Sequence, residues 1–259
     1  MSSFLVSGPV SARLRFHGGT VDVDTSSSGE ATASVEALDP HDARSAEAAR
    51  AARIDCSGDR LVVDVPGKGK WRGGIQVAIR LTLPPMSKLT SESAEVTLRS
   101  DADLADLVVR TGSGDVVAPV VHDLVDVKAG DANVTVGSPQ RLSFTTGNGN
   151  LRAGGVGDLT FKTGHGSANL DSTTGTVIVK GGSVGLVLGA TKSGEVVFQT
   201  GAGNAHIGVV EGTSVQLDLQ SGLGDVRCDL PFEDGPPSGG SDLKVKLTTG
   251  LGDLVVARA

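Results

Sequence analysis

Chemistry in this chain would have to come from its histidines, cysteines and carboxylates, and their spacing assembles no reactive constellation. The five histidines, His17, His41, His122, His165 and His206, form neither an HExxH motif nor a close pair. Cys56 and Cys228 make no CxxC, so neither a metal knuckle nor a redox motif is written here; both read as small buried apolar residues. Calcium is the cation that Gly- and Asp-rich β-structure invites. Calcium-binding β-rolls carry GGxGxDxUx at every turn, whereas related strings stand here at one turn per repeat, and their Asp alternates with Asn, Ser and Gly. A glycosidase needs two carboxylates facing one another across an outward site, and Asp126 and Asp218 stand apart. There is no GxSxG elbow, and no glycine string opens a helix as a dinucleotide site requires. The expectation is a non-enzymatic protein with no cofactor and no metal.

The bulk properties narrow the partners. The 259 residues carry 23 Lys plus Arg against 30 Asp plus Glu, an acidic balance that argues against nucleic acid. Six Phe, one Trp and no Tyr, with 37 Gly but only 10 Pro, point to many tight turns rather than to a collagen-like or Pro-rich chain. No run approaches the ~18 apolar residues of a membrane helix. The opening MSSFLVSGPVSARLRFHGG has neither the basic start nor the apolar run of a secretory leader. These features predict no membrane insertion and a cytoplasmic location.

Internal repetition supplies the fold. TGSGD at Thr111, TGNGN at Thr146, TGHGS at Thr163, TGAGN at Thr200, SGLGD at Ser221 and TGLGD at Thr249 share one form, with degenerate copies AGDAN at Ala129 and GGSVG at Gly181. Anchored on the first glycine (Gly112, Gly130, Gly147, Gly164, Gly182, Gly201, Gly222, Gly250), the copies lie 18, 17, 17, 18, 19, 21 and 28 residues apart. Five residues before each anchor stands Leu or Val, and three before stands Val, Phe or Leu, as in Leu159 and Phe161. Polar residues such as Thr160 and Lys162 alternate with them. Two further apolar columns follow the turn, for example Ala168 and Leu170. Alternation of period two marks half-buried strands. Each repeat therefore reads as strand, glycine turn, strand. A unit of ~17–18 residues cannot bury its own apolar face, but stacked copies can. The links are too short for helical crossovers, so the expected fold is all-β, a parallel β-solenoid. The glycines of the turn are expected to hold positive φ, and the Asp or Asn three residues after the anchor to cap turns and ladder between rungs.

Residues 1–86 read as an irregular β segment continuous with the solenoid of residues 87–259, which carries an insertion at 231–242. Strands are expected at 12–16, 20–24, 31–37, 60–65 and 75–83, with a capping helix over about 42–54 that Asp39 or Asp42 could N-cap. Three surfaces are candidates for contact. The outward residues Arg110, Lys128, Lys162 and Lys180 would stack as a basic stripe for an acidic partner. Lys70, Trp71 and Arg72 form an exposed loop. The last rung, with Val245, Leu247, Leu254 and Val256 on its inward columns, is the end of the chain, and an uncovered parallel edge there is a template for self-association into a homodimer or an end-to-end assembly.

The TGSGD, TGNGN and TGLGD units, following an N-terminal β segment and an Ala/Arg-rich helix, resemble the bacterial putative-adhesin domain family of unknown function, its actinobacterial, cytoplasmic-type members in particular. The resemblance covers about residues 10–259. It implies a β-solenoid of the toast-rack type and carries over no catalytic residue. The function expected from residues and resemblance together is a scaffold or protein-interaction module with an unidentified protein partner. The alternative is a ligand- or carbohydrate-binding, adhesin-like solenoid, which an outward cluster of aromatics and carboxylates would favour; the sequence shows no such cluster.

Overall fold

The computed structural model describes residues 2–27, 29–67, 74–231 and 242–259. The chain divides into two compact units, Met1–Gly137 and Ser138–Ala259. Each is a stack of parallel strands in two layers, so the β-solenoid expected from the repeats is the observed fold. Among the described residues no helix is long and apolar enough to cross a membrane.

The first unit holds β1 (Ser2–Leu5), β2 (Ser11–Arg15), β3 (Gly18–Thr25), β4 (Glu30–Ala37), α1 (Ala43–Arg50), β5 (Arg53–Ser57), β6 (Arg60–Asp64) and β7 (Gln76–Leu83). It continues with β8 (Ser87–Glu92), β9 (Glu95–Ser100), β10 (Leu104–Arg110), β11 (Ser113–Ala118), β12 (Val121–Lys128) and β13 (Asp131–Val136). One layer runs β6, β2, β8, β10, β12, and the other β7, β3, β9, β11, β13. Side chains stay in register through each layer. Leu61, Ala12, Leu89, Leu107 and Val125 form one column, and Ile79, Val21, Leu98, Val116 and Val134 another. Because β8 pairs with β2 on one side and β10 on the other, no break falls at residues 86–87.

The helix is shorter than the sequence suggested. Asp42 caps it as expected, its carboxylate accepting from the amides of Arg44 and Ser45. It ends at Arg50 because Ile54 and Cys56 already alternate as a strand, folded onto β6 as an antiparallel hairpin through Gly58. α1 links β4, which lies beyond β7 in one layer, to β5, which lies beyond β6 in the other. Its buried Ser45 accepts a hydrogen bond from the amide of Gln76 through Oγ.

The second unit holds β14 (Arg141–Val156), β15 (Asp158–Thr173), β16 (Thr176–Thr191), β17 (Gly194–Ala202), β18 (Ala205–Val209), β19 (Val215–Leu223), β20 (Val226–Cys228), β21 (Leu243–Leu251) and β22 (Leu254–Arg258). β14, β15 and β16 each run through the glycine turn and contribute to both layers. Phe144, Phe161 and Phe198 are wholly buried on one column, the first two rings stacked with centroids 5.2 Å apart. Beyond β17 the order in space departs from the order in the chain. β21 lies between β17 and β19, and β22 between β18 and β20. The first unit does the same, with β2 and β3 tucked inside β6 and β7.

Positive φ falls on glycines of the turn, as expected, and the two glycines of a string serve different ends. The anchor is not the one with positive φ; the second glycine is, at Gly114, Gly166 (φ +152°), Gly203, Gly224 and Gly252. The anchor is glycine for space: a Cβ on Gly164 would lie 2.6 Å from the carbonyl oxygen of Gly147 on the preceding rung. A Cβ on Gly166 would lie 1.9 Å from the Gly149 carbonyl oxygen, so Gly166→Ala adds a clash to the strain. That substitution is expected to destabilise by at least ~3 kcal/mol. Gly212→Ala (φ +78°, with nothing within 4 Å) is expected to lose only the ~1–2 kcal/mol of left-handed backbone strain. Urea titration of the two variants checks this; equal losses would remove rung contact as the reason for the glycine.

Candidate interaction site at an open rung

In the second unit the four apolar columns are buried on every rung except one. Leu217, Leu219 and Cys228 on β19 and β20 are only partly buried, and Val226 is 48% exposed. The columns of β21 and β22 are closed: Val245, Leu247, Leu254 and Val256 are at most 1% exposed. The self-association end expected at those four residues is therefore misplaced. They lie between two rungs, and among the described residues the rung that ends the stack is β19/β20. Among the described residues β19 pairs only with β21, which leaves its other edge of backbone N–H and C=O groups without a strand. Leu223 (71% exposed) and Leu251 (53% exposed) stand at the adjoining turn.

Turn side chains hold the rungs in register. Thr111, Thr146, Thr163, Thr200 and Thr249 each donate Oγ1–H to the carbonyl oxygen two residues on, at 2.7–3.1 Å. The repeated T of TGxGx thus closes the turn over its first glycine, a role that sequence reasoning missed although the recurrence of Thr was visible. The Asp/Asn ladder is present as expected. Asn133 donates to Asp115 at 2.9 Å, the amide of Asp253 to Asn204 at 2.8 Å, and the amide of Asp225 to Asp253 at 2.9 Å. On the open rung Ser221 replaces Thr and donates across to the Gly252 carbonyl.

The predicted contact residues have separate fates. Arg110 and Lys128 pair in register in the first unit, Lys162 and Lys180 in the second. Arg110 is not an open cation: its guanidinium is bound to the Asp126 carboxylate and to the carbonyls of Val109 and Asp126. Lys162 and Lys180 are exposed, and no ion pair involves either among the described residues. The loop of Lys70, Trp71 and Arg72 lies outside the described residues, as does most of the 231–242 insertion.

The electrostatics are those of a solvated surface. Two guanidiniums, Arg13 at 2.6 Å and Arg15 at 3.2 Å, hold the Glu92 carboxyl below its usual range, and a hydrogen bond to Asp106 at 2.7 Å raises Lys88. These pairs span neighbouring rungs and are exposed, so each contributes little to stability. Partial burial raises the Cys56 thiol, which disfavours the reactive thiolate. Among the described residues no group of three or more His, Cys, Asp or Glu is placed to hold a metal ion.

Comparison with known proteins agrees with the fold. The model of the family described as Toastrack DUF4097 matches residues 11–250. The crystal structure of a putative adhesin from Bacteroides fragilis superposes with a TM-score of 0.51 at 11% identity, covering 98% of this chain and 95% of that one. A putative cell adhesion protein from Clostridium sporogenes gives a TM-score of 0.22 at 9% identity, over 100% of this chain and 98% of that one. No curated protein matches the sequence.

Proposed function

The chain belongs to the Toastrack DUF4097 family, and from that premise we propose that it is a non-enzymatic interaction module that binds protein through the open rung β19/β20. The observation that carries the reading is the interruption of the buried columns there. Leu217, Leu219, Val226 and Cys228 have the residue types and register of a core but keep partial exposure, beside a strand edge that pairs with no strand among the described residues. An added strand would satisfy the edge and cover the apolar side chains together, the usual physics of β-augmentation. The description of the Bacteroides fragilis relative as a putative adhesin supports a binding role for the fold. Lys162 and Lys180, exposed on adjacent rungs, form an accessory strip for an acidic partner within this proposal. A cytoplasmic setting is part of it too, and the two unpaired thiols, Cys56 and Cys228, fit a reducing compartment.

A photo-crosslinking residue placed at exposed Gln220, with Arg152 on the flat face of β14 as control, tests the reading in cells of the native host. The expected result is a crosslink to protein, this chain or another, from position 220 and not from 152. Labelling from both positions, or from neither, overturns it.

A further inference from the structure

We infer that the partner at the open rung is a second copy of this chain, joined by antiparallel pairing of β19 with its mate about a two-fold axis at Leu219. This rests on the interaction reading above and narrows it to one occupant.

The sequence of β19 is self-complementary in that register. Leu219 meets Leu219 of the mate, Leu217 meets Ser221, Asp218 meets Gln220, Gln216 meets Gly222, and Val215 meets Leu223. Inward side chains oppose inward ones throughout, because the side-chain period of a strand is two. The one charge on the strand, Asp218, is already 3.1 Å from Lys246 Nζ and accepts from the Gln220 amide at 3.2 Å; pairing brings a second Gln220 amide to the same carboxylate. Neighbouring registers fit worse. An axis at Asp218 opposes two carboxylates, and an axis at Gln220 sets Leu219 against Ser221 and leaves Asp218 opposite Gly222.

The strand also lacks the usual protection against such pairing. Edge strands are commonly blunted by Lys, Pro or a bulge. β19 contains no Lys, Arg or Pro, and its register with β21 runs without a shift. Each copy carries a net charge of −7, so a strand with its charge neutralised is where two copies meet with least repulsion. An antiparallel two-fold pair is closed, which limits the assembly to a dimer.

Light scattering during size exclusion is expected to show a concentration-dependent mass reaching twice the 26.1 kDa of the chain. Register is read by disulfide formation in a Cys56→Ser, Cys228→Ser background. Residues directly opposed in an antiparallel pair have Cα atoms about 4.5–5.5 Å apart, within reach of a disulfide. Leu219→Cys is therefore expected to form a covalent dimer on mild oxidation, while Leu217→Cys, four positions and roughly 13 Å from its own mate, stays monomeric. Should Leu219→Cys disturb the fold, an equimolar mixture of the exposed variants Asp218→Cys and Gln220→Cys is expected to give the mixed dimer. A monomeric mass at every concentration, or equal crosslinking at 217 and 219, overturns the inference. The host crosslink separates the two levels: another protein captured at position 220 leaves the interaction reading standing and removes the dimer, and no capture removes both.

Discussion

Phe161→Asp is expected to unfold the protein or drive it into aggregates, while Lys162→Asp beside it leaves the fold intact. Phe161 is 0% exposed and stacked on Phe144 on the adjacent rung, with Val179 at its register partner on the other side. Truncating a buried Phe typically costs about 3–5 kcal/mol, and a carboxylate adds desolvation with no cation on the column to meet it. The sum is of the order of a small domain's whole stability. Lys162 points outward with no ion pair among the described residues, so reversing its charge stays within about 0.5 kcal/mol. Urea denaturation followed by circular dichroism compares the two. Similar midpoints would mean that the inward and outward columns are wrongly assigned.

Leu247→Asp is expected to be far more damaging than Leu219→Asp, although the two residues occupy the same column. Read in chain order, Leu247 belongs to the terminal rung and Leu219 to an interior one. The structure reverses them, with Leu247 at 0% exposure between Phe198 and Leu219. A carboxylate at 247 is buried from both sides and is expected to cost more than ~4 kcal/mol. At 219 one side is open to water, the carboxylate keeps part of its hydration, and about 1–2 kcal/mol is expected, measured where the chain is monomeric. The reverse ranking would return the C-terminal rung to the end of the stack.

Why that reversal escaped the sequence is a matter of what a repeat encodes. Column patterns fix which residues face inward, and those assignments held from Leu107 to Val256 on every rung but the open one. Every rung presents the same columns, however, so the pattern does not say which rung stacks on which. The trace of the order lay in the connections. Ordinary links between rungs are short, as at residue 157 between β14 and β15, whereas residues 229–242 separate β20 from β21. That long link leads back one rung, and the step over a rung, ~10 Å, is made by residues 210–214 between β18 and β19. In the first unit link length gives no such trace: residues 84–86 alone, with Met86 at φ 60°, carry the chain from β7 past the rung of β2 and β3 to β8. The hairpin β5–β6 went unread because Arg53–Ser57 continued an Ala-rich run, and tertiary pairing outweighed local propensity there. The interaction site was legible only as a suspicion about an end. Its residue types were plain in the sequence, but its location needed the stacking order.

Interleaving also decides how the second unit would bear a mechanical load. A solenoid whose last strand in sequence is last in space can be peeled from that end, one hydrogen bond after another. A force applied through Ala259 instead reaches β22, which is laddered to β18 on one side and to β20 on the other. Pulling along the strand would shear both ladders together, and pulling across it would first have to displace the outer rung. β22 is thereby a clamped element rather than a free edge of its layer.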